Sequence, residues 1–288
     1  MILLLPADPM RPRRPDEHFA AEAAAARDLG FDVVLVDHDA LARPADPEGP
    51  APVRTVARTT ATGAAFYRGW MLRAGRYAAL AAVLRERDIA LRTTPEQYRR
   101  AHELPGWYAD LADVTPYSVW TTGADRAGFD RARAAFGSGP AVLRDYTKSM
   151  KHHFDEAAYI ADVADADAAW RVASRFLELR DDEFVGGLVL RRFERFVSAE
   201  VRTWWVDGRP ALVTAHPDTP GRPVPADVDL SEVAPLVAAL RLPFVTADLV
   251  LRDDGRWRVV ELGDGQVSDR PAGTDPADLL AALRPAAR

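Results

Sequence analysis

Two apolar runs near the C-terminus, Phe244-Val-Thr-Ala-Asp-Leu-Val-Leu251 and Trp257-Arg-Val-Val-Glu-Leu262, flank the polar segment Arg252-Asp-Asp-Gly-Arg256. An Asp-Gly pair between apolar runs is the strongest short hairpin signal, so the sequence predicts two antiparallel strands joined at Asp254-Gly255. If that pair forms a two-residue turn, Asp253 pairs with Arg256. Counting outward along both strands then places Asp248 directly opposite Glu261 on one face of the sheet.

The two opposed carboxylates require a compensating charge. At a separation of about 5 Å they repel by roughly 3 kcal/mol at an effective dielectric constant of about 20, and like charges directly opposite one another destabilise a ladder. Hard oxygen ligands without cysteine or clustered histidine nearby indicate Mg²⁺, which proteins usually hold together with nucleotide phosphates. The alternative is an exposed acidic hairpin whose charges are solvated, and the spacing alone does not decide between the two.

The composition of the 288-residue chain is ordinary for a globular protein, with 48% hydrophobic and 28% charged residues. A net charge of −6 offers no overall attraction to polyanions and disfavours nucleic acid as a partner. The absence of cysteine excludes disulfides, thiolate catalysis and cysteine-ligated zinc. The opening Met-Ile-Leu-Leu-Leu-Pro lacks the features of a signal peptide, and no later run reaches membrane-spanning length. We therefore expect a cytoplasmic protein with no membrane partner.

Residues 1–92 are predicted to form a small α/β domain. The predicted elements are strands at 2–5, 31–36, 53–57, 64–67 and 89–92, helices at 16–29 and 76–87, and a proline-rich loop at 39–52. The first strand, helix and strand imply a parallel unit with a right-handed crossover.

Residues 93–288 are predicted to form a second domain, with a helical first subdomain at 93–186 and a second subdomain, which contains the acidic hairpin, at 187–288. We expect mostly helix over 95–137, since Thr94-Pro95 is typical of a helix start. The later predicted elements are strands at 141–144, 187–193, 199–206 and 211–215, and helices at 165–179, 231–240 and 275–283. Antiparallel hairpins with segregated helices are typical of the α+β class.

Three cations lie close together in the segment Val142-Leu-Arg-Asp-Tyr-Thr-Lys-Ser-Met-Lys151. Arg144 ends a predicted strand, and Lys148 and Lys151 lie in the polar loop that follows. Such clusters commonly neutralise phosphates, and this one would supply positive charge opposite the acidic hairpin. The alternative is a solvated basic loop.

Glu200 and Arg202 lie two residues apart in a predicted strand and therefore on one face. They form either an internal salt bridge or a functional pair, in which Glu200 accepts from ribose hydroxyls and Arg202 stabilises a phosphate or an anionic intermediate. The sequence contains no GxxxxGK[ST] phosphate loop, no GxGxxG after the first strand and no GxSxG elbow. P-loop, Rossmann dinucleotide and serine hydrolase sites are therefore excluded.

The order of these motifs resembles the ATP-grasp superfamily over essentially the whole chain. Arg144, Lys148 and Lys151 resemble the arginine and two lysines of one ATP-grasp clade. The runs Phe66-Tyr-Arg-Gly-Trp-Met-Leu72 and Val260-Glu-Leu-Gly-Asp-Gly-Gln-Val-Ser268 are similar to that clade too. The resemblance implies an α/β pre-ATP-grasp domain followed by an α+β ATP-grasp fold with mixed or antiparallel sheets, and it implies ATP and Mg²⁺ as cofactors.

The resemblance also implies a role for each candidate residue. Arg144, Lys148 and Lys151 would contact phosphates, and Arg202 would face the γ-phosphate. Arg192 and Phe193 would lie on the strand whose backbone reads adenine, and Glu200 would meet ribose. Asp248 and Glu261 would be the principal metal ligands.

The chain departs from the family pattern at two places. Many family members have an asparagine two residues after the last glutamate, whereas this chain has Gly263 followed by Asp264, which we assign as the third metal ligand. The glycine-rich phosphate loop common in the superfamily is missing between Thr147 and Phe154, so phosphate binding should depend more on side chains than on backbone amides.

We therefore predict an ATP- and Mg²⁺-dependent carboxylate-amine ligase with Arg202 and Lys151 as catalytic residues. It would form an amide through an acyl phosphate, release ADP and phosphate, and take small carboxylates and amines such as amino acids or peptides. Two alternatives from other classes remain open: an ATP-binding or sensing module without catalysis, and an ATP-dependent ligase that modifies nucleic acid. The sequence does not indicate an oligomeric state.

Overall fold

Residues 1–43 and 56–284 are described by the structure, which is a computed structural model. Their strands form one mostly parallel sheet and two antiparallel sheets. No helix in these ranges is long and apolar enough to cross a lipid bilayer.

The mostly parallel sheet belongs to the N-terminal domain. Its elements are β1 (Ile2–Asp8), β2 (Arg11–Pro15), α1 (Ala20–Asp28), β3 (Asp32–Val36), α2 (His38–Ala42), β4 (Gly63–Tyr67), α3 (Ala74–Arg85) and β5 (Ile89–Leu91). Strand β1 pairs in parallel with β3 and β4, and β2 runs antiparallel to its end. Parallel sheets are buried on both faces, and accordingly Leu3 and Leu4 of β1 pack into two separate cores.

The structure of this domain departs from the sequence predictions at three places. The predicted loop at 39–52 begins instead with helix α2, and residues 44–52 lie outside the described ranges. Of the predicted strand at 53–57, residues 53–55 also lie outside them, and Val56 forms only an isolated bridge with Val36. Strand β2 was not predicted because its sequence, Arg-Pro-Arg-Arg-Pro, is polar and rich in proline, which only sheet edges tolerate.

The first antiparallel sheet has the order β6-β9-β7-β8 and is covered by helices α6 and α7. The elements of this part are α4 (Pro95–His102), α5 (Leu104–Leu111), β6 (Ser118–Trp120), α6 (Arg126–Phe136), β7 (Ala141–Arg144), β8 (Tyr159–Ile160), α7 (Ala166–Arg180) and β9 (Val189–Arg192). Helix α4 begins at Pro95 with Thr94 as its cap, as the Thr-Pro signal predicted, and Gln97 completes a capping box. The expectation of mostly helix over 95–137 is confirmed by α4, α5 and α6, and the short strand β6, which pairs with β9, interrupts them.

The second antiparallel sheet has the order β11-β10-β12-β13. The remaining elements are β10 (Val201–Val206), β11 (Arg209–Ala215), α8 (Ala234–Ala239), β12 (Phe244–Leu251), β13 (Trp257–Asp264) and α9 (Pro276–Ala282). One face of this sheet packs on α5 and α8 around Trp107 and Trp205. The other face packs on the N-terminal domain, where Trp204 and Phe244 share a core with Phe66.

The acidic hairpin places Asp248 opposite Glu261, as predicted, but by a different path. The loop has three residues, because Arg252 rather than Asp253 pairs with Arg256. This shifts the register by one residue, and a β-bulge between Asp248 and Leu249 on one strand, with Val260 as the extra residue on the other, shifts it back. The predicted pairing of Asp253 with Arg256 is therefore wrong, while the pairing of the two carboxylates is confirmed.

The predicted domain limits do not follow the sheets everywhere. Strand β9 follows residue 186, yet it pairs with β6 and β7 of the first subdomain. Leu104, Trp107 and Leu111 of α5 precede residue 186, yet they pack in the core of the second antiparallel sheet. The boundaries after residues 92 and 186 thus remain a proposal, since elements on each side of residue 186 pack with the sheet of the other side.

Candidate active site

A cavity of about 510 Å³ is lined by residues of both antiparallel sheets and of the loop that follows β7. Nine of the ten residues singled out in the sequence lie in its wall, namely Arg144, Lys148, Lys151, Arg192, Phe193, Glu200, Arg202, Asp248 and Glu261. The tenth, Asp264, does not line it.

An acidic and basic row crosses three neighbouring strands of the second antiparallel sheet. Arg202 pairs with Asp248, and Asp248 pairs with Glu261. The Nε and Nη2 atoms of Arg202 each lie 2.8 Å from an oxygen of the Asp248 carboxylate. Burial alone would favour the neutral acid, but the guanidinium outweighs it and lowers the pKa of Asp248 to about 2. The partner of Arg202 is thus a carboxylate on the next strand rather than Glu200, which lies just before β10 and not within the strand as predicted.

Glu261 faces the basic loop across the cavity. Its carboxylate oxygens lie 3.9 Å from Nη2 of Arg144 and 4.0 Å from Nζ of Lys148. Burial opposes ionisation, yet Arg144 and Lys148 together hold the pKa of Glu261 below its usual range. The acidic hairpin and the basic loop therefore face each other, which is the arrangement that the sequence predicted.

The basic loop is shaped by a buried carboxylate. Oδ1 of Asp145 accepts hydrogen bonds from the backbone N–H groups of Thr147 and Lys148, both at 2.7 Å, and Oδ2 accepts from Arg180 at 3.0 Å. Nη2 of the buried Arg144 donates to the carbonyl of Thr147 at 2.8 Å. These contacts fix the turn, so that Lys148 remains half exposed at the cavity.

Lys151 lies on the far side of the same loop. Its ammonium group forms an ion pair with Asp218, which lies in the segment after β11. That segment also carries His216, whose Nε2 lies 3.5 Å from Asp248 and 3.7 Å from Glu200. His216 and Asp218 were not identified in the sequence.

Glu200 completes a compact group of possible metal ligands. One ligand atom from each of Glu200, His216 and Asp248 lies within 4.8 Å of the others. Burial, and then the neighbouring Asp248 carboxylate, raise the pKa of Glu200. A cation placed among these carboxylates would relieve that repulsion.

The donor set fits Mg²⁺. Asp248, Glu261 and Glu200 supply hard oxygen atoms, the kind of ligand that Mg²⁺ prefers. Arg202 engages both oxygens of Asp248, but an ionised carboxylate has about four lone-pair sites, so capacity for a cation remains.

Arg192 and Phe193 lie at the edge of the cavity, where the first antiparallel sheet ends. Their backbone N–H groups donate to the carbonyls of Tyr117 and Pro140, at 2.7 and 3.1 Å. The side chain of Arg192 is directed at the end of α6, where its guanidinium lies 4.3 Å from the ring centroid of Phe136. Their predicted role toward adenine therefore remains a prediction.

Arg191, the residue before them, was not identified in the sequence. Its guanidinium is buried and donates to the Thr115 hydroxyl at 2.6 Å, to the Val259 carbonyl at 2.8 Å and to the Val260 carbonyl. Burial, and then the neighbouring Arg144, lower the pKa of Arg191 to about 9. Its partners are one hydroxyl and two backbone carbonyls, all distant in sequence, so no local pattern could have indicated this role.

Asp264 lies apart from the other two predicted metal ligands. Its side chain is 1% exposed and accepts a hydrogen bond from the Gln266 N–H at 2.8 Å. Gln266 in turn donates to the Tyr77 hydroxyl at 2.8 Å, on the side of the N-terminal domain. Burial raises the pKa of Asp264 to about 7. The cavity wall at this point is formed by Gly263 instead.

Three solved structures share this fold over nearly the whole chain. A RimK domain protein ATP-grasp from Sphaerobacter thermophilus DSM 20745 is 19% identical, with a TM-score of 0.62 and coverage of 98% of both chains. D-cycloserine synthetase DcsG is 20% identical, with a TM-score of 0.59 and coverage of 99% of this chain and 100% of that one. The ATP-grasp ligase PsnB, complexed with minimal precursor, Mg and ADP, is 16% identical, with a TM-score of 0.55 and coverage of 98% and 96%. At these identities the likeness establishes the fold.

A family model matches residues 135–283, just over half of the chain, and it describes an ATP-grasp domain of family 3 in the clade named for one arginine and two lysines. No curated protein matches the sequence. The family match confirms the predicted superfamily, clade and fold class, and it agrees with the predicted class of enzyme, an ATP-grasp carboxylate-amine ligase with ATP and Mg²⁺ as cofactors. The chain therefore belongs to family 3 of the ATP-grasp domains in the arginine-and-two-lysines clade.

Proposed function

We propose that the chain joins a carboxylate to an amine in two steps, through an acyl phosphate, with release of ADP and phosphate. The observation that carries this proposal is the opposition of two charged groups across one cavity, with Arg144 and Lys148 facing Glu261 at 3.9 and 4.0 Å. Between such groups a metal-nucleotide is neutralised on both sides, because the acids face the metal and the cations face the phosphates.

The residues of the cavity divide into two roles. Asp248 and Glu261 would hold Mg²⁺, which when bound would neutralise phosphate charge and orient the transferred group. Arg144, Lys148 and Lys151 compensate the charge of the phosphates. Arg202 is fixed by Asp248 and stabilises negative charge on the reacting oxygens.

The chemistry needs no side-chain nucleophile. A carboxylate oxygen attacks the γ-phosphorus, and ADP leaves with the electron pair of the broken P–O bond. The amine nitrogen then attacks the acyl carbon, the C–O bond to phosphate breaks, and the nitrogen loses one proton. The protein contributes positioning and charge compensation at both steps.

The substrates we propose are amino acids or short peptides. The related ligase PsnB supports this class, since it has also been solved in complex with a precursor peptide. The cavity is also roomy enough for a nucleotide and a small substrate, at about 510 Å³.

Phosphate release from Mg-ATP over a panel of amino acids and dipeptides tests the proposal. We expect substrate-stimulated release by the wild-type protein and its loss, by about 100-fold or more, in Glu261→Gln. Asp253→Asn, which changes an exposed acid in the loop of the same hairpin, serves as the matched control. Binding of Mg-ATP without stimulated release by any member of the panel would contradict the ligase function.

A further inference from the structure

His102 lies at the junction of two cavities. It is the last residue of α4 and lines both the candidate active site and a second cavity of about 380 Å³. Met71 and Thr147 also line both, so the two cavities adjoin at these three residues. The second cavity is walled by the N-terminal domain, by α4 and by the segment from Arg180 to Gly186.

The orientation of the His102 ring is set by Tyr98. Nδ1 of His102 lies 2.9 Å from the Tyr98 carbonyl oxygen, and the two rings pack with their centroids 4.3 Å apart. A carbonyl oxygen only accepts, so Nδ1 carries the proton and Nε2 is left with a free lone pair. The Tyr98 hydroxyl is itself fixed, because it donates to the Leu72 carbonyl at 2.8 Å and accepts from the Leu72 N–H at 2.9 Å.

Within the described ranges Nε2 of His102 has no protein hydrogen-bond partner, although Nδ1 and the ring plane are held by Tyr98. Burial lowers the pKa of His102 to about 4, so the ring is neutral at physiological pH. The charged groups that act on it are Lys148 and Glu261, both in the wall of the candidate active site. An oriented acceptor thus lies beside the groups assigned to the phosphates and the metal.

We propose that His102 is the catalytic residue that accepts the proton of the attacking amine, and that the amine enters from the second cavity. This inference rests on the proposed ligase function. As the nitrogen lone pair forms the new C–N bond, the C–O bond to phosphate breaks and phosphate leaves with its electron pair. One N–H proton moves to Nε2 and then to solvent. Forming the C–N bond lowers the pKa of that N–H proton and so brings it closer to the pKa of the acceptor, which favours proton transfer.

The test separates the two half-reactions. Wild-type protein, His102→Asn and the exposed-histidine control His152→Gln are each incubated with Mg-ATP and a panel of amino acids. In one arm hydroxylamine traps the acyl phosphate as a hydroxamate, and in the other a second amino acid is the amine and the dipeptide is measured by mass spectrometry. Asparagine keeps an N–H that can donate to the Tyr98 carbonyl, but it has no counterpart of Nε2.

We expect His102→Asn to form hydroxamate within about threefold of the wild-type rate, because hydroxylamine is a strong nucleophile that depends little on a base. Dipeptide formation should fall by about 100-fold or more, and added imidazole should restore part of it. Equal dipeptide rates in variant and wild type would overturn the proposal, and so would parallel loss of hydroxamate and dipeptide. Failure of the wild-type protein to form any hydroxamate would instead contradict the acyl-phosphate function on which the proposal rests.

Discussion

Nη2 of Arg191 lies 2.8 Å from the backbone carbonyl oxygen of Val259, and this contact joins one antiparallel sheet to the bulge of the other. Nη1 of the same side chain donates to the next carbonyl, that of Val260. The bulge corrects the register of the acidic hairpin by one residue. Arg191 therefore stabilises the distortion that sets Glu261 opposite Asp248.

Replacement of Arg191 by methionine should lower the free energy of unfolding by about 2 kcal/mol, because buried carbonyls lose a charged donor. Urea denaturation measures this change, and Arg209→Met, on an exposed position of β11, is the control. Turnover should fall as well, since the bulge carries Glu261. An unchanged urea midpoint would show that the bulge does not depend on Arg191.

Asparagine at position 264 should leave Mg-ATP-dependent turnover within about threefold of wild type, because this side chain lies outside the cavity. Asparagine at position 248 should reduce it by about 100-fold or more. Initial rates over a series of Mg²⁺ concentrations distinguish the two variants. A Mg²⁺ requirement that rises in a folded Asp264→Asn protein would restore Asp264 as a metal ligand.

The buried Asp264 should also make stability depend on pH. Its pKa is about 7 in the folded chain, against 3.8 for an unperturbed aspartic acid. Between these pH values the folded state holds a proton that the unfolded state has released, so stability falls as the pH rises from about 4 to about 7. The Asp264→Asn variant lacks this loss, and its unfolding free energy relative to wild type should increase across the window by up to about 4 kcal/mol. Denaturation curves at pH 4, 5.5, 7 and 8 test this, and a constant difference would contradict it.

The buried ion pair between Glu22 and Arg68 should be much more sensitive to substitution than an exposed pair. Both oxygens of Glu22 accept from Arg68 at 2.9 Å, and both side chains are almost fully buried. Glu22→Gln leaves a buried guanidinium without its counter-charge and should cost about 3–5 kcal/mol. The exposed pair of Arg100 and Asp110 supplies the control, since Asp110→Asn should cost less than about 1 kcal/mol. Thermal unfolding at pH 7 compares them, and equal shifts would contradict the expectation.

The predicted pairing of Asp248 with Glu261 is correct only because two departures from ideal hairpin geometry cancel. The loop is one residue longer than an Asp-Gly turn, and the bulge at Val260 removes the offset. Neither departure is visible in a pattern of apolar and polar residues, which records only the alternation of faces.

In the neighbouring hairpin of β10 and β11, a bulge also shifts the register, but no second departure shifts it back. Its two-residue turn at Asp207-Gly208, with positive φ at both residues, is predictable from sequence. A bulge between Trp204 and Trp205 then shifts the register, so that Arg202 pairs with Thr214. Counting from the turn alone would have paired Arg202 with Val213, and for this reason the approach of His216 to Glu200 could not be derived.

Two further site residues depend on contacts with backbone carbonyls, one within helix α4 and one between segments distant in sequence. His102 and Arg191 are fixed by the carbonyls of Tyr98, Val259 and Val260, and a carbonyl leaves no signature in the residue that carries it. By contrast, the charges of the basic loop and the hairpin are properties of side chains. Pairing these by their chemistry identified nine of the residues that line the cavity.

Helices α1 and α9 pack against each other, and Leu279 and Leu280 share one core with Leu3 and Phe19. The first and last parts of the chain are therefore interlocked, although hundreds of residues separate them. A fragment limited to the family-matched residues 135–283 would lack α1, and the apolar face of α9 that packs on it would be exposed to solvent. Truncation at the homology boundary is thus a poor strategy for expression, and biochemical work should retain the whole polypeptide.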